Sequence, residues 1–189
     1  MKKLKKEISN CQLCADSLAL GARPVFAFSK ESKIMIIGQA PGSIVHRTGI
    51  PWDDKSGENL RAWMGVNTDT FYDDKKIAIV PMGFCYPGKG KSGDLPPRKE
   101  CAPAWHEAIF KYLKGVELTL LIGRYAQDYY LGKALKRNLT ETVKNYNEYL
   151  PKFLVLPHPS PRNNIWMKKN PWFAQEVLPV LKSTVKRVL

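Results

Sequence analysis

The sequence predicts an α/β protein, a three-layer α/β/α sandwich around a four-stranded, mostly parallel sheet. Four short runs rich in Ile, Leu and Val are continuous rather than alternating, which is typical of parallel strands covered on both faces. Helical stretches lie between these runs, and such alternation favours a parallel sheet. The predicted strands are residues 33–37, 76–80, 118–122 and 152–156.

Helices are predicted between and after the strands. Ser56-Gly57 opens the first, and Pro103 suits the first turn of the second. Asn138 begins a segment that resembles a capping box, which starts the fourth helix. Pro179 is expected to kink or divide the last helix, because proline lacks a backbone N–H donor. The predicted helices are residues 58–64, 103–113, 125–131, a segment from 138 onward, and 171–188.

Length and composition bound the class of protein. A chain of 189 residues fits a single domain, residues 1–189, with residues 1–30 as an N-terminal arm. Hydrophobic residues at 44% and charged residues at 25% exclude disordered, collagen-like and coiled-coil proteins. No apolar run reaches the roughly 18 residues of a membrane span, and no signal peptide is predicted. We therefore expect a cytoplasmic protein without a membrane partner.

Charge points to a polyanionic partner. Thirty Lys and Arg against 17 Asp and Glu give a net charge of +13. For a small protein this favours nucleic acid over acidic membranes, since no basic amphipathic helix with an apolar face is evident. A merely basic surface is the alternative.

A glycine-bounded loop follows the first predicted strand. In parallel sheets, ligands bind at the carboxyl ends of the strands. The glycines of Gly38-Gln39-Ala40-Pro41-Gly42 allow the backbone to approach a ligand closely. The amides of this loop can donate to an oxyanion. The segment is neither a Walker loop nor a dinucleotide-binding motif. Taken alone, it is also consistent with a tight turn.

A second loop places an aromatic ring beside two carboxylates. Trp52 could stack on a planar base, and Asp53 or Asp54 could orient water or stabilise a developing cation. The alternative is an aspartate that caps the next helix, with Trp52 in the core.

The last predicted strand leads into His158-Pro159-Ser160. A histidine at this strand end is placed to hydrogen-bond a ligand, although a structural role is the alternative. His106, beside Trp105 in a helical pattern, is expected to be structural. An apolar wedge for a base stack is offered by Ile165, Trp166 and Met167. Candidate phosphate contacts after the strand are Arg162, Asn163 and Lys168.

Four cysteines fall into two pairs. Cys11 and Cys14 form a CxxC motif, and Cys85 and Cys101 bracket a long polar loop. In a cytoplasmic protein such thiols favour a zinc site or an iron–sulfur cluster over disulfides. Free cysteines, two of them buried, are the alternative. The loop between the second pair offers cations to phosphates, among them Lys89, Lys91 and Arg98.

The ordered set of motifs resembles the uracil-DNA glycosylase superfamily, and its family 4-like, iron–sulfur branch in particular. The order is CxxC, strand with Gly-x-Ala-Pro-Gly, Gly-x-Pro-aromatic loop, second cysteine pair and His-Pro-Ser. The resemblance implies the α/β/α sandwich and a DNA repair activity. A damaged base is flipped out of DNA and its N-glycosidic bond is hydrolysed. One flipped base needs one pocket, so we expect a monomer.

The resemblance also implies residue roles. Gln39 and Ala40 frame the base and the attacking water, and Trp52 is near the stacking aromatic. His158 donates to the base oxygen as negative charge develops. Further substrate contacts are expected from Gly38, Pro41, Gly42, Asp53 and Ser160. The four cysteines would bind a structural [4Fe-4S] cluster, with zinc or an empty site as alternatives; no cofactor serves the chemistry.

Two departures from the family pattern affect the predicted chemistry. The first motif has Ala40 and no carboxylate, whereas Asp54-Lys-Ser-Gly57 resembles the family 5 segment that supplies the catalytic carboxylate. We therefore predict Asp54 as the catalytic carboxylate, with Asp53 as the alternative. Residues 80–84 lack the Asn that reads uracil. Excision of uracil, hypoxanthine or xanthine stays open, as do a silent nucleic-acid binder and a metal-binding protein with a small ligand.

Overall fold

A four-stranded parallel sheet lies at the centre of the computed structural model, which describes all residues, 1–189. The strands are β1 (Ile34–Ile37), β2 (Ile77–Ile79), β3 (Lys89–Gly90), β4 (Gly93–Asp94), β5 (Leu118–Ile122) and β6 (Phe153–Leu156). The main sheet has the order β2-β1-β5-β6, and all of its pairs are parallel. Strands β3 and β4 form a separate antiparallel hairpin. The four predicted strands and the predicted sheet are confirmed.

Helices cover both faces of the sheet. They are α1 (Lys2–Ser9), α2 (Ser43–Thr48), α3 (Lys55–Met64), α4 (Thr68–Tyr72), α5 (Cys101–Phe110), α6 (Arg124–Leu131), α7 (Leu139–Lys144), α8 (Asn164–Lys169) and α9 (Leu178–Val188). Short 3₁₀ segments occur at Ala15–Ser17, Gly132–Ala134, Tyr146–Tyr149 and Pro161–Asn163. No helix combines the length and apolarity that crossing a membrane requires.

The core divides into two apolar clusters, one on each face of the sheet. Successive strand side chains point to opposite faces. Accordingly, Met35 and Ile37 join one cluster with residues of α1, α5 and α6. Ile34 and Ile36 join the other, with residues of α3, α4, α7 and α9. This arrangement is the predicted three-layer sandwich.

The first residues of two helices are set by side-chain caps, and one of them differs from the prediction. Helix α3 begins at Lys55 rather than at residue 58, because the side chain of Asp54 accepts a hydrogen bond from the Gly57 amide at 2.8 Å. The expected opening at Ser56-Gly57 was wrong for this reason. The cap at Asn138 is confirmed, since its side-chain oxygen accepts from the Glu141 amide at 2.9 Å.

Pro179 does not divide the last helical segment, and the alternative expectation, a kink, stays a prediction. A π-helical turn, Phe173–Val177, precedes helix α9, which carries Pro179 in its first turn. Proline has no N–H to donate and its ring clashes with the carbonyl four residues earlier. The wider π turn accommodates this interruption within one continuous helical segment.

Candidate active site

A cavity of about 360 Å³ opens where strands β1, β2 and β6 end. This size is within the range of about 300–1,000 Å³ that is usual for small-molecule sites. Topology explains the location, because parallel strands deliver their following loops to one edge of the sheet. The predicted site residues that line it are Gly38, Gln39, Ala40, Pro41, Gly42, Trp52, Asp54, Lys89, His158, Ser160 and Arg162.

The loop after β1 is tied to the segment after β2. The carbonyl of Gly38 accepts from the Met82 amide and that of Gln39 from the Gly83 amide, both at 2.9 Å. Gly38 has no room for a side chain, since a Cβ there would lie 2.8 Å from Cζ2 of Trp52. The absence of a side chain at Gly38 therefore allows the indole ring to approach the main chain closely.

Trp52 has an unusual backbone conformation. Its φ is +58°, and it is the only non-glycine residue of the chain with a positive φ. A bulky residue rarely adopts this conformation, and such strain concentrates at functional sites. The half-buried indole packs against the apolar cluster that contains Ile34 and Ile36, and it also lines the cavity. Its ring centroid lies 5.6 Å from that of His158.

Asp54 makes the helix cap that was one alternative and also lines the cavity, where its catalytic role stays a prediction. One carboxylate oxygen, Oδ1, caps helix α3. The other, Oδ2, approaches within 4.0 Å of the position that a Cβ on Gly42 would occupy, beside the cavity. Asp53 is half-buried and does not line the cavity, and its amide donates to the Ile50 carbonyl at 3.3 Å.

His158 is held by its own loop. Asn163 donates to the His158 carbonyl at 2.7 Å, and Asn59 of α3 donates to the Pro159 carbonyl at 2.8 Å. Burial lowers the pKa of His158 below its ordinary value, against the opposing effect of the Asp54 and Asp94 carboxylates. The imidazole is therefore neutral near pH 7, when it can donate one hydrogen bond without carrying charge.

A histidine outside the cavity supports its wall. The His106 Nε2–H donates to the Pro81 carbonyl at 3.0 Å, so Nδ1 is the acceptor for the Tyr130 hydroxyl. Burial lowers the pKa of His106 to about 4. Pro81 itself lines the cavity. His106 is thus structural, as predicted.

Asp94 also lines the cavity, and the sequence did not predict it as a site residue. It ends the β3–β4 hairpin, and its Oδ2 lies 3.6 Å from the position of a Cβ on Gly42. The Tyr86 hydroxyl donates to its Oδ1 at 3.4 Å. The hairpin consists of Gly, Lys, Ser and Asp without an apolar pattern, so the sequence carried only its polarity as a signal.

The predicted phosphate contacts are distributed unevenly. Lys89 and Arg162 line the cavity, and Arg162 donates to the Ser92 carbonyl at 3.3 Å. Lys91 and Lys168 are exposed and lie outside the cavity lining. Arg98 also lies outside it and donates to Glu100 at 2.6 Å.

The predicted apolar wedge is divided between two environments. Ile165, in the first turn of α8, is 68% exposed. Trp166 packs against Phe173, and its indole N–H donates to the Thr140 hydroxyl at 2.9 Å. Ile165 is therefore the exposed member of the predicted wedge, whereas Trp166 and Met167 are half-buried against the apolar cluster.

The four cysteines lie near one another on the face of the sheet that carries α1 and α5. All are free thiols; Cys14, Cys85 and Cys101 are buried in the apolar cluster, and Cys11 is half-buried. Cys14 and Cys101 are neighbours, since each affects the pKa of the other. Burial raises the pKa of Cys85 to about 11 and that of Cys101 to about 12, and the neighbouring cysteines add to both shifts.

The donor set suits thiolate-bound iron or zinc, which would offset the repulsion between buried thiolates. Arg98 adds positive charge beside Cys14 and Cys101, and its Nε is buried without a hydrogen-bond partner. As the side chains stand, no three His, Cys, Asp or Glu groups are arranged to hold a metal ion.

Comparison with known proteins agrees with this geometry. The sequence model of the Uracil DNA glycosylase superfamily matches residues 26–182. The match includes the cavity loops and the Cys85–Cys101 segment, and it begins after Cys11 and Cys14. Because it covers most of the chain, and the sheet has the expected order of motifs at its carboxyl edge, the chain belongs to the uracil-DNA glycosylase superfamily.

Proposed function

We propose that the protein is a DNA glycosylase that hydrolyses the N-glycosidic bond of a deaminated base in DNA, with uracil as the first candidate. The observation that carries the proposal is the convergence of Trp52, Asp54 and His158 on one cavity. These side chains supply a stacking surface, a carboxylate and a neutral hydrogen-bond donor. Membership of the superfamily supports the same reaction.

DNA binding would use the positive charge around the cavity. Lys89 and Arg162 contact phosphates at its mouth, and the exposed Lys91 and Lys168 extend the cationic surface. Ile165 fills the gap that the flipped nucleotide leaves in the base stack. The flipped base then stacks on Trp52.

The reaction first forms a positive charge on the sugar and a negative charge on the base, and then neutralises both. The bond between C1′ of the sugar and the base nitrogen breaks, and its electron pair leaves with the base. The neutral His158 donates to the base oxygen as it becomes negative, and backbone amides of the Gly38–Gly42 loop, with Gln39, frame the base and the water. Asp54 orients the water, whose oxygen bonds to C1′ while its proton ends on the departing base.

The segment after β2 bears on which base the protein excises. Pro81 lines the cavity in the segment where the family places its uracil-reading Asn, and a proline offers no side-chain donor or acceptor. Hypoxanthine and xanthine are therefore alternative substrates. The absence of a carboxylate at Ala40 favours a second candidate, a nucleic-acid binder that holds a flipped base without cleaving it.

We further propose that the chain combines family 4-like and family 5-like features. Cys11, Cys14, Cys85 and Cys101 would hold a [4Fe-4S] cluster, which supplies structural cross-linking rather than redox chemistry. The proximity of the buried thiols and of the Arg98 cation supports this assignment. Zinc is the alternative occupant. The segment that begins at Asp54 is the family 5-like feature.

The test is cleavage of end-labelled oligonucleotides, each with one uracil, hypoxanthine or xanthine, followed by alkali at abasic sites. Wild type is compared with Asp54→Asn, which keeps a capping oxygen for α3. Cleavage of at least one substrate by wild type, reduced on the order of a hundredfold in the variant, is expected. Tight, salt-dependent DNA binding with no cleavage of any substrate would favour the silent binder.

A further inference from the structure

Asp94 brings a second carboxylate to the cavity. Its Oδ2 and the Oδ2 of Asp54 lie 3.6 Å and 4.0 Å from the same point, the position of a Cβ on Gly42. Both residues line the cavity, and both carboxylates act electrostatically on His158. The two anions therefore face one region of the site.

The hairpin that carries Asp94 is fixed at several points. The Leu95 amide donates to the Gly88 carbonyl at 2.9 Å, which closes the base of the hairpin. Arg162 donates to the Ser92 carbonyl at 3.3 Å and ties its tip to the segment after His158. The main chain that carries Asp94 is thus fixed on both sides, and its exposed carboxylate accepts from the Tyr86 hydroxyl.

Asp94 forms no ion pair, although Lys89 is its partner across the hairpin and lines the same cavity. The chain has a net charge of +13, yet no ion pair includes Asp54 or Asp94. A carboxylate at the mouth of a site for a polyanion opposes binding, because it repels the phosphates. An unpaired anion at this position suits a cationic group that forms there during the reaction.

We propose that Asp94 is a second catalytic carboxylate that acts with Asp54 to stabilise positive charge on the sugar. The proposal rests on the glycosylase function proposed above. As the glycosidic bond breaks, the sugar ring becomes an oxocarbenium ion while the electron pair leaves with the base. A fixed anion favours this state over the neutral ground state, so it lowers the barrier. Asp94 forms no bond and transfers no proton.

This role predicts opposite effects on binding and on catalysis. Asp94→Asn keeps the shape and the acceptor for Tyr86 but removes the charge. We expect single-turnover cleavage to slow by roughly tenfold to a hundredfold. DNA affinity should be unchanged or tighter, because one anion that repels phosphates is gone. Asp69→Asn, at an exposed position of helix α4 outside the cavity, removes the same charge and should leave cleavage within twofold.

A charged probe tests the sign of the interaction directly. The probe is a duplex with a cationic pyrrolidine in place of the target sugar, compared with an uncharged tetrahydrofuran analogue. We expect wild type and Asp69→Asn to bind the pyrrolidine duplex more tightly than the tetrahydrofuran duplex. In Asp94→Asn the ratio of these two affinities should fall roughly tenfold.

The outcomes separate the two proposals. An unchanged preference for the cation in Asp94→Asn, or cleavage within twofold of wild type, overturns the role of Asp94 alone. Parallel losses of cleavage and affinity also overturn it, since they indicate that the residue only supports the hairpin. A wild type that cleaves no base and has no preference for the cation overturns the glycosylase function, and the role of Asp94 with it.

Discussion

The main-chain carbonyl of Trp52 occupies the space that a side chain on Gly57 would need. A Cβ on Gly57 would lie 1.7 Å from that oxygen. The first turn of α3 and the strained backbone of Trp52 are therefore fitted to each other. Asp54 caps the same turn by accepting from the Gly57 amide. The positions of the Trp52 ring and of the Asp54 carboxylate therefore both depend on the close contact between the Trp52 carbonyl and Gly57.

Gly57→Ala is expected to disturb both groups. The added methyl must displace backbone, and overpacking of this kind costs at least about 1–3 kcal/mol of unfolding free energy. Urea titration, followed by tryptophan fluorescence, measures the loss. Gly115→Ala is the matched control, because a Cβ there meets only atoms 3.9 Å away. Equal stability of the two variants would contradict the close fit.

The capping and catalytic roles of Asp54 are separable by substitution. Asp54→Ala removes the oxygen that accepts from Gly57, so it should cost about 1 kcal/mol of stability. Asp54→Asn retains an acceptor and should stay close to wild type in stability. Both variants should lose cleavage activity, because both remove the charge. Full activity in Asp54→Asn would leave the residue with the capping role alone.

His106 makes folding stability depend on pH. Its pKa is lowered from 6.5 to about 4 in the folded protein, because burial disfavours the charged ring. Its contribution is fully present above pH 6.5 and is lost as the pH falls toward 4, where the unfolded chain binds a proton that the folded chain does not. The slope approaches about 1.4 kcal/mol per pH unit within this window.

The measurement compares urea unfolding of wild type and His106→Gln between pH 7 and pH 5 (roughly the upper part of the window set by the two pKa values). The variant is expected to be less stable at pH 7, since it disturbs the contacts with Pro81 and Tyr130. Its stability should nevertheless decline less with acid than that of wild type. Parallel curves would show that other groups control the acid response.

Loading of the cysteine site should stabilise the fold. Iron and sulfide added under anaerobic conditions are expected to give a visible charge-transfer absorption and a higher Tm, since a ligand that binds only the folded state adds stability. Cys101→Ser should lose both signals, although its apo form folds. Zinc in place of iron is the comparison. A higher Tm with zinc, without iron uptake under the same conditions, would assign the site to zinc.

The sequence predicted those parts of the fold that depend on local pattern. The strands β1 and β5 are buried on both faces, so their side chains are continuously apolar. Because ligands bind at the carboxyl ends of parallel strands, the site that contains Trp52, Asp54 and His158 was expected at this edge of the sheet. Asp94 escaped prediction because its hairpin is placed by a distant contact, Arg162 to the Ser92 carbonyl, which no local pattern encodes.

The same limit applies to single side chains with several uses. The cationic loop predicts a phosphate contact at Arg98, and in the folded chain the same side chain also pairs with Glu100 beside the thiols. Trp166 resembled part of a wedge, yet it packs on Phe173. Composition identifies the type of a side chain, whereas its role depends on which neighbours the fold supplies.

Ile165 offers a direct test of base flipping. Its side chain is 68% exposed, so Ile165→Ala should change folding stability by no more than about 0.5 kcal/mol. Cleavage of a damaged base in duplex DNA should fall roughly tenfold, because the gap in the stack is no longer filled and each unstacked step costs a few kcal/mol. Cleavage in single-stranded DNA should change little, since there is no stack to open.

The matched control is Leu20→Ala, which truncates an equally apolar side chain that is 61% exposed on the N-terminal arm. It should leave both substrates unaffected. The informative quantity is the ratio of duplex to single-strand cleavage rates for each variant. If Ile165→Ala slows both substrates equally, the side chain acts on the cavity rather than on the base stack, and the wedge must come from another residue.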